Sequence, residues 1–115
     1  MNEQQKVLLK QWVEALRSGK YKKDTCQLKT SNGYCCMGVA VVVHPEWKIS
    51  KKKKHFIDEL NKEVGCENEF PPVEMLKDFG LNIELVRKLI RMNDIELLPF
   101  KEIADYIEKE LLSNE

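Results

Sequence analysis

The chain has 115 residues, of which 33% are charged and 43% hydrophobic, and its formal net charge is zero. This length suits one domain with its own core, and the composition is that of a globular protein and not of a disordered one. No apolar run reaches the roughly 18 residues that a membrane-spanning helix needs, and the N-terminal segment lacks a signal-peptide core. We therefore predict a single cytoplasmic domain over residues 1–115, with no membrane partner and with reduced cysteines.

The charge is divided unevenly along the chain. Residues 1–55 contain 12 Lys and Arg against 4 Asp and Glu, whereas residues 56–115 contain 7 against 15. This polarity is compatible with closure of the two halves on each other, with head-to-tail association, or with a basic surface for an anionic ligand. Two solvated faces of opposite sign would give the same pattern.

The first predicted element is an amphipathic helix over residues 3–18. Leu9, Trp12, Val13 and Leu16 recur at helical spacing, and Gly19 stands where a glycine commonly ends a helix. The Asn32-Gly33 dipeptide then favours a tight turn, which predicts a small β-hairpin that pairs residues 25–30 with residues 34–36. The apolar run that follows, residues 36–44, is compatible with a strand or a buried helix, and its β-branched residues favour a strand.

The middle of the chain is predicted as a basic connection followed by a helix. His44 precedes a proline, which ends the apolar run, and Lys51 to Lys54 form an uninterrupted lysine run. Phe56, Leu60 and Val64 recur every four residues before a glycine, which predicts a helix there.

The last third predicts a short helix and then an antiparallel helix pair. The short helix follows Pro71-Pro72 and would bury Val73, Leu76 and Phe79. Asn82 is the expected cap of the next helix, with Ile83, Val86 and Ile90 inward. Pro99 opens the last helix, with Ile103, Ile107 and Leu111 inward.

Several motifs in order resemble a family of small proteins encoded by tailed phages and prophages. They are "WVEALRSGKYKK" (12–23), "GYCCMGV" (33–39), "PPVEMLKDFGL" (71–81), "RMND" (91–94) and "FKEIADYIEKEL" (100–111), whereas residues 45–70 depart from the pattern. The resemblance implies a helix for residues 36–44, and we adopt that prediction. Phage accessory proteins of this size are often inhibitors of bacterial defence, and one class sequesters cyclic-nucleotide immune signals in small oligomers. That analogy concerns a functional class and not these motifs.

The cysteines favour packing over chemistry. Structural zinc commonly uses paired ligands two to four residues apart, but Cys35 and Cys36 are adjacent, and Cys26 and Cys66 are isolated. A nucleophilic thiol needs a base and an electropositive pocket, and no pattern identifies either. We predict no metal, no cofactor and no catalytic residue. The small thiols and Gly38 are expected to let neighbouring backbones approach closely, and Cys35 is expected to face a ligand.

The best candidate site is an anion site around the end of the first helix. Arg17, Lys20 and Lys22 are predicted to neutralise phosphate, and Tyr21 or Tyr34 to stack on a base. Trp12 could add another aromatic face. The alternative is that Trp12 belongs to the core and the lysines are solvated.

Asn93 and Asp94 complete the candidate ligand-binding set. Asn93 would hydrogen-bond a base edge or ribose, and Asp94 would orient a cationic side chain. The simpler alternative is turn and cap formation, because both side chains bond readily to nearby backbone groups.

The functional prediction is a phage-encoded, non-enzymatic homo-oligomer that sequesters a small cyclic nucleotide in the cytoplasm of the infected host. Polymeric nucleic acid is disfavoured because the sequence pI is about 6.7 and the last predicted helix is acidic. The first alternative is an inhibitor or adaptor that binds a host protein. The second is a small hydrolase or thiol enzyme.

Overall fold

The computed structural model describes residues 1–113. Its helices are α1 (Glu3–Arg17), α2 (Cys36–Val43), α3 (Val73–Asp78), α4 (Ile83–Asp94) and α5 (Phe100–Ile107), and a π-helical turn, Glu108–Leu112, continues α5. Three short strands, β1 (Lys48–Ser50), β2 (Ile57–Asp58) and β3 (Glu63–Gly65), form a sheet in the order β1-β3-β2. The predicted α+β, mostly helical single domain is confirmed.

Helix α1 forms as its sequence predicts. Asn2 caps it, and the side chain of Gln5 bonds back to the Asn2 backbone, which completes a capping box. The four predicted inward residues are all buried: Leu9, Trp12, Val13 and Leu16. The Trp12 ring meets Phe79 edge-on at 5.7 Å, so α1 packs against the end of α3. Among residues 1–113, neither this helix nor any other is long and apolar enough to cross a membrane.

Helix α2 occupies the centre of the fold. It is a helix, as the family resemblance implied, although its β-branched residues alone favoured a strand. Every residue from Cys36 to Val41 is buried, which is typical of a helix that is apolar on all sides. A Cβ atom at Gly38 would lie 1.8 Å from the carbonyl oxygen of Leu28. The close backbone approach predicted at this glycine is therefore present.

The chain reverses direction around Asn32-Gly33, as predicted, but the two arms do not pair as β-strands. The Thr30 N–H donates to the Gly33 carbonyl at 2.9 Å, and a single antiparallel bridge joins Lys29 to Tyr34. Pairing goes no further because the N–H groups of Leu28 and Lys29 donate to the chain at residues 66–68. The sheet of this protein lies instead at residues 48–65.

The helix predicted for Phe56 to Val64 was wrong. These residues form β2, a turn and β3, with β3 parallel to β1 and antiparallel to β2. Val64 is buried, but Phe56 is 64% exposed and Leu60 is 91% exposed, so the four-residue spacing does not mark an inward face. The Asp58 carboxylate accepts the Asn61 N–H, a local bond that stabilises a turn in competition with a helix.

The last third follows the prediction in its elements and in part of its burial. Asn82 caps α4 by accepting the Leu85 N–H, and Pro99 directly precedes α5. Most of the predicted inward positions are buried: Leu76, Phe79, Val86, Ile103 and Ile107. Val73 and Ile83 are exposed at the first turns of their helices, and Ile90 and Leu111 are only half-buried.

Candidate functional site

Arg17 is held by acidic residues of the C-terminal helix. Its guanidinium lies 2.7 Å from the Asp105 carboxylate and 3.1 Å from that of Glu108. Hydrogen bonds that Arg17 donates to Glu108 and Asp105 raise the pKa of Arg17, so its guanidinium stays charged. Because both carboxylates neutralise this charge, Arg17 joins α1 to α5 and is not a free anchor for phosphate.

The two predicted tyrosines do come together. The rings of Tyr21 and Tyr34 meet edge-on at 5.5 Å, and both side chains are half-buried. The Lys29 ammonium lies 4.6 Å from the centre of the Tyr34 ring, a cation–π distance. Lys20 and Lys22 are exposed on the loop that leads to this pair, and the Lys22 carbonyl accepts the Tyr34 N–H at 2.8 Å.

Asn93 is fully buried, where it connects three segments. Its side-chain oxygen accepts the Cys36 N–H at 3.1 Å, at the start of α2. Its side-chain amide donates to the Asp24 carbonyl at 2.9 Å and to the Asp94 carboxylate at 2.7 Å. The Asn93 carbonyl accepts a bond from the Lys23 ammonium at 2.8 Å. Both polar atoms of the Asn93 side chain therefore bond within the protein. Asn93 joins separate segments of the chain, which is a larger structural role than a local turn or cap.

Cys35 and Cys36 are packed in the interior, where burial disfavours their thiolate forms. Cys35 caps α2, since its sulfur accepts the Gly38 N–H at 3.4 Å, and Cys36 lies behind it in the core. Burial raises the pKa of Cys35 to about 12 and also raises the pKa of Cys36 well above its ordinary value. A thiolate nucleophile at neutral pH is therefore disfavoured at both positions. Within residues 1–113, no group of three or more His, Cys, Asp or Glu side chains is arranged to hold a metal ion.

A groove beside the Tyr34 loop offers the polar groups that a phosphorylated ligand needs. We call it the polar groove; it has a volume of about 710 Å³ and is lined by Asp24, Gln27, Lys29, Thr30, Ser31, Asn32, Lys51, Lys54, Cys66 and Glu67. None of the eight predicted ligand-binding residues lines it, although Lys29 contacts the predicted Tyr34. The groove brings a loop residue, Lys29, to the exposed lysine run at residues 51–54.

The two carboxylates of the polar groove are both engaged. Asp24 accepts hydrogen bonds from the Thr30 hydroxyl and from the Thr25 N–H, and these bonds lower the pKa of Asp24. Glu67 lies 3.1 Å from His55 and 3.8 Å from Lys54. Lys51 is exposed at the edge of the groove. The ion pairs and hydrogen bonds hold the loops of the groove in place around its lysines.

We expect a Thr30→Val substitution to raise the pKa of Asp24 towards its ordinary value, because the hydroxyl that stabilises the carboxylate is removed. The lowered pKa favours the folded state above the ordinary carboxyl pKa, and this contribution is lost as the pH falls through the folded-state pKa. The free energy of unfolding of the variant should therefore fall less steeply than that of the wild type as the pH is lowered. A carbon-13 NMR titration of the Asp24 carboxyl measures this shift. Thr25→Val, which keeps the backbone N–H, is the control, and an unchanged Asp24 titration in the Thr30 variant would contradict the assignment.

Residues 1–111 match a family described as a domain of unknown function, DUF8296. The chain belongs to this family. No curated protein and no solved structure matches the chain. The family match covers nearly all of the described residues, so the polar groove and the hydrogen bonds of Asn93 both lie within the DUF8296 domain.

Proposed function

We propose that this protein is a non-enzymatic binding protein that sequesters a small cyclic nucleotide, the immune signal of a host antiphage defence. The polar groove carries the proposal. Its volume of about 710 Å³ falls within the roughly 300–1,000 Å³ of small-molecule sites. The resemblance of the motifs to phage and prophage proteins supports the proposed biological setting, which is the cytoplasm of an infected bacterium.

The charges of the groove support a phosphorylated ligand. Lys29 and Lys51 provide ammonium groups that bind phosphate oxygens as point charges, and Lys54, which lies 3.8 Å from Glu67, adds a third cation whose charge is partly neutralised. The neighbouring polar side chains of Thr30, Ser31 and Asn32 can bond the sugar or the base. Lys20 and Lys22 remain predicted contributors from the adjacent loop, whereas the ion pairs of Arg17 argue against its inclusion.

The aromatic pair supports a nucleotide more than a simple phosphate. Tyr34 lies against Lys29, which lines the groove, and Tyr21 lies against Tyr34. A base that enters the groove can approach this half-buried pair while its phosphates remain at the lysines. Capture without turnover is favoured because burial disfavours thiolates at Cys35 and Cys36 and the carboxylates of the groove are already hydrogen-bonded or ion-paired.

Titration calorimetry with a panel of cyclic di- and trinucleotides and ADP-ribose derivatives tests this function. A bound nucleotide should lose at least about tenfold in affinity when Lys29 and Lys51 are both replaced with alanine, since a hydrogen bond to a charged group contributes roughly 1.5–3 kcal/mol. Lys101→Ala, an exposed position on α5 outside the groove, should bind as the wild type does. Equal affinity of the double variant and the wild type would overturn the assignment of the groove.

A further inference from the structure

The segment between β1 and β3 exposes large apolar side chains among lysines. We call residues 51–62 the lysine-rich segment. Within it Leu60 is 91% exposed, Phe56 is 64% exposed and Ile57 is 40% exposed. Single exposed apolar residues are ordinary, but several within six residues of one turn mark a surface that another molecule covers.

A second groove, separate from the polar groove, has the complementary character. This amphipathic groove has a volume of about 790 Å³ and is lined by Asn2, Glu3, Gln4, Gln5, Val7, Leu8, Gln11, Val43, His44, Pro45, Glu46, Lys77 and Asp78. Its apolar residues come from α1, from the end of α2 and from Pro45. Val7 is 49% exposed, so part of this apolar surface is open to a partner.

The charges of the two surfaces are opposite. Three carboxylates and one lysine line the amphipathic groove, which gives it a net charge of −2. The lysine-rich segment contains five lysines and two acidic residues, a net charge of +3 with histidine neutral. One of those acidic residues, Asp58, is already bound to Lys53 at 3.1 Å. Lys54 and Lys62 are paired in the same chain with Glu67 and Glu46, at 3.8 and 3.2 Å. The positive charge that the segment offers a partner therefore comes mainly from the exposed Lys51 and Lys52, beside the apolar side chains of the turn.

One carboxylate of the amphipathic groove is fixed in position by a buried histidine. The ring of His44 accepts the N–H groups of Glu46 and Trp47 at Nδ1, at 3.0 and 3.2 Å. Because Nδ1 is an acceptor, the proton lies on Nε2, which donates to the Asp78 carboxylate at 2.8 Å. The Asp78 side chain remains half-exposed at the groove, where it can receive a lysine.

We propose that two copies of this chain form a symmetric dimer in which the lysine-rich segment of each copy inserts into the amphipathic groove of the other. Lys62 of the segment lies 3.2 Å from Glu46 of the groove in the same chain, so the two surfaces adjoin. A two-fold axis beside this ion pair can therefore bring both reciprocal contacts into one interface. Phe56 and Leu60 then contact the apolar lining, and Lys52, which does not line the polar groove, lies against Glu3 and Asp78.

Light scattering coupled to size-exclusion chromatography tests the dimer across a range of protein concentrations. Wild type should have the mass of a dimer, whereas Leu60→Glu and Val7→Glu should each shift it to a monomer, because each places a carboxylate in the apolar contact. Ile95→Glu is the matched control, since Ile95 is 71% exposed but lies outside both surfaces. Circular dichroism checks that the variants remain folded. A monomeric wild type at every concentration would overturn the dimer and assign the two surfaces to another protein.

A cross-linking experiment then tests the pairing of the two surfaces. In a background of Cys26→Ser and Cys66→Ser, chains with Leu60→Cys are mixed with chains with Val7→Cys and treated with a short bismaleimide. The proposal expects cross-links between the two different chains and few within either pure sample. A dimer that cross-links equally well in the pure Leu60→Cys sample would overturn the reciprocal arrangement. Neither experiment uses a nucleotide or alters a residue of the polar groove other than Cys66, so the dimer and the proposed function can fail separately.

Discussion

The Gly38→Ala substitution should destabilise the protein by about 3 kcal/mol, at the upper end of the cost of overpacking a core. A Cβ atom at this position would lie 1.8 Å from the Leu28 carbonyl oxygen and 2.8 Å from the carbonyl carbon. The neighbour cannot easily move, because the Leu28 N–H donates to Asn68 at 2.8 Å and its carbonyl accepts the Cys35 N–H. Helix α2 would have to shift away from the loop that forms the polar groove. Urea denaturation followed by circular dichroism measures the free energy of unfolding.

Gly19→Ala is the matched control for Gly38. Gly19 has a φ of +74° and no heavy atom within 4 Å of an added Cβ. Alanine there should cost only the roughly 1–2 kcal/mol of a left-handed backbone, with no clash. A Gly38 variant as stable as the Gly19 variant would contradict the close packing of α2 on Leu28.

Asn93→Ala should also cost about 3 kcal/mol, since the buried Cys36 N–H and the half-buried Asp24 carbonyl both lose their partner. The Cys36 N–H and the Asp24 carbonyl both bond to the Asn93 side chain, and each unsatisfied buried group costs roughly 1–3 kcal/mol. Natural domains are stable by only about 5–15 kcal/mol, so this is a large fraction of the total. Amide hydrogen exchange at Cys36 should accelerate together with the loss in urea stability.

Asn32→Ala provides the comparison for Asn93, because the Asn32 side chain is exposed at the turn. A surface change of this kind should alter stability by no more than about 0.5 kcal/mol. If the two alanine variants unfold at the same urea concentration, the buried junction at Asn93 does not hold the loop, α2 and α4 together.

The sequence predicts this fold best where the signals are local. The apolar spacing of α1, the left-handed glycine after it and the Asn82 cap of α4 each depend on residues within a few positions of one another. Helix α2 is different, because valines favour strands and its helical form depends on burial and on the Asn93 side chain from α4. Its assignment came from the family resemblance and not from propensity.

The middle of the chain could not be predicted from spacing alone. Phe56 and Leu60 are four residues apart, as in an amphipathic helix, yet both are exposed. The decisive interactions are the pairing of β3 with β1 and the turn bond between Asp58 and Asn61. Periodicity does not reveal whether an apolar residue faces the core or a partner.

The candidate site shows the same limit. Sequence analysis grouped Arg17 with the lysines that follow it, but the fold pairs Arg17 with two carboxylates some ninety positions later, Asp105 and Glu108. The lysine run at residues 51–54 is exposed in the structure, but its distance along the chain from Lys29 concealed that Lys29, Lys51 and Lys54 line one groove. The sequence shows which residues are charged in each case, but only the tertiary structure shows which groups lie beside them.

Native mass spectrometry of the purified protein with the same nucleotide panel, followed by denaturation and analysis of the released molecule, tests the central claim most directly. Sequestration in the polar groove predicts a stoichiometric adduct whose nucleotide is released chemically unchanged, and the loss of that adduct when Lys29 and Lys51 are replaced. A chemically altered product, or the absence of an adduct with every nucleotide of the panel, would contradict it.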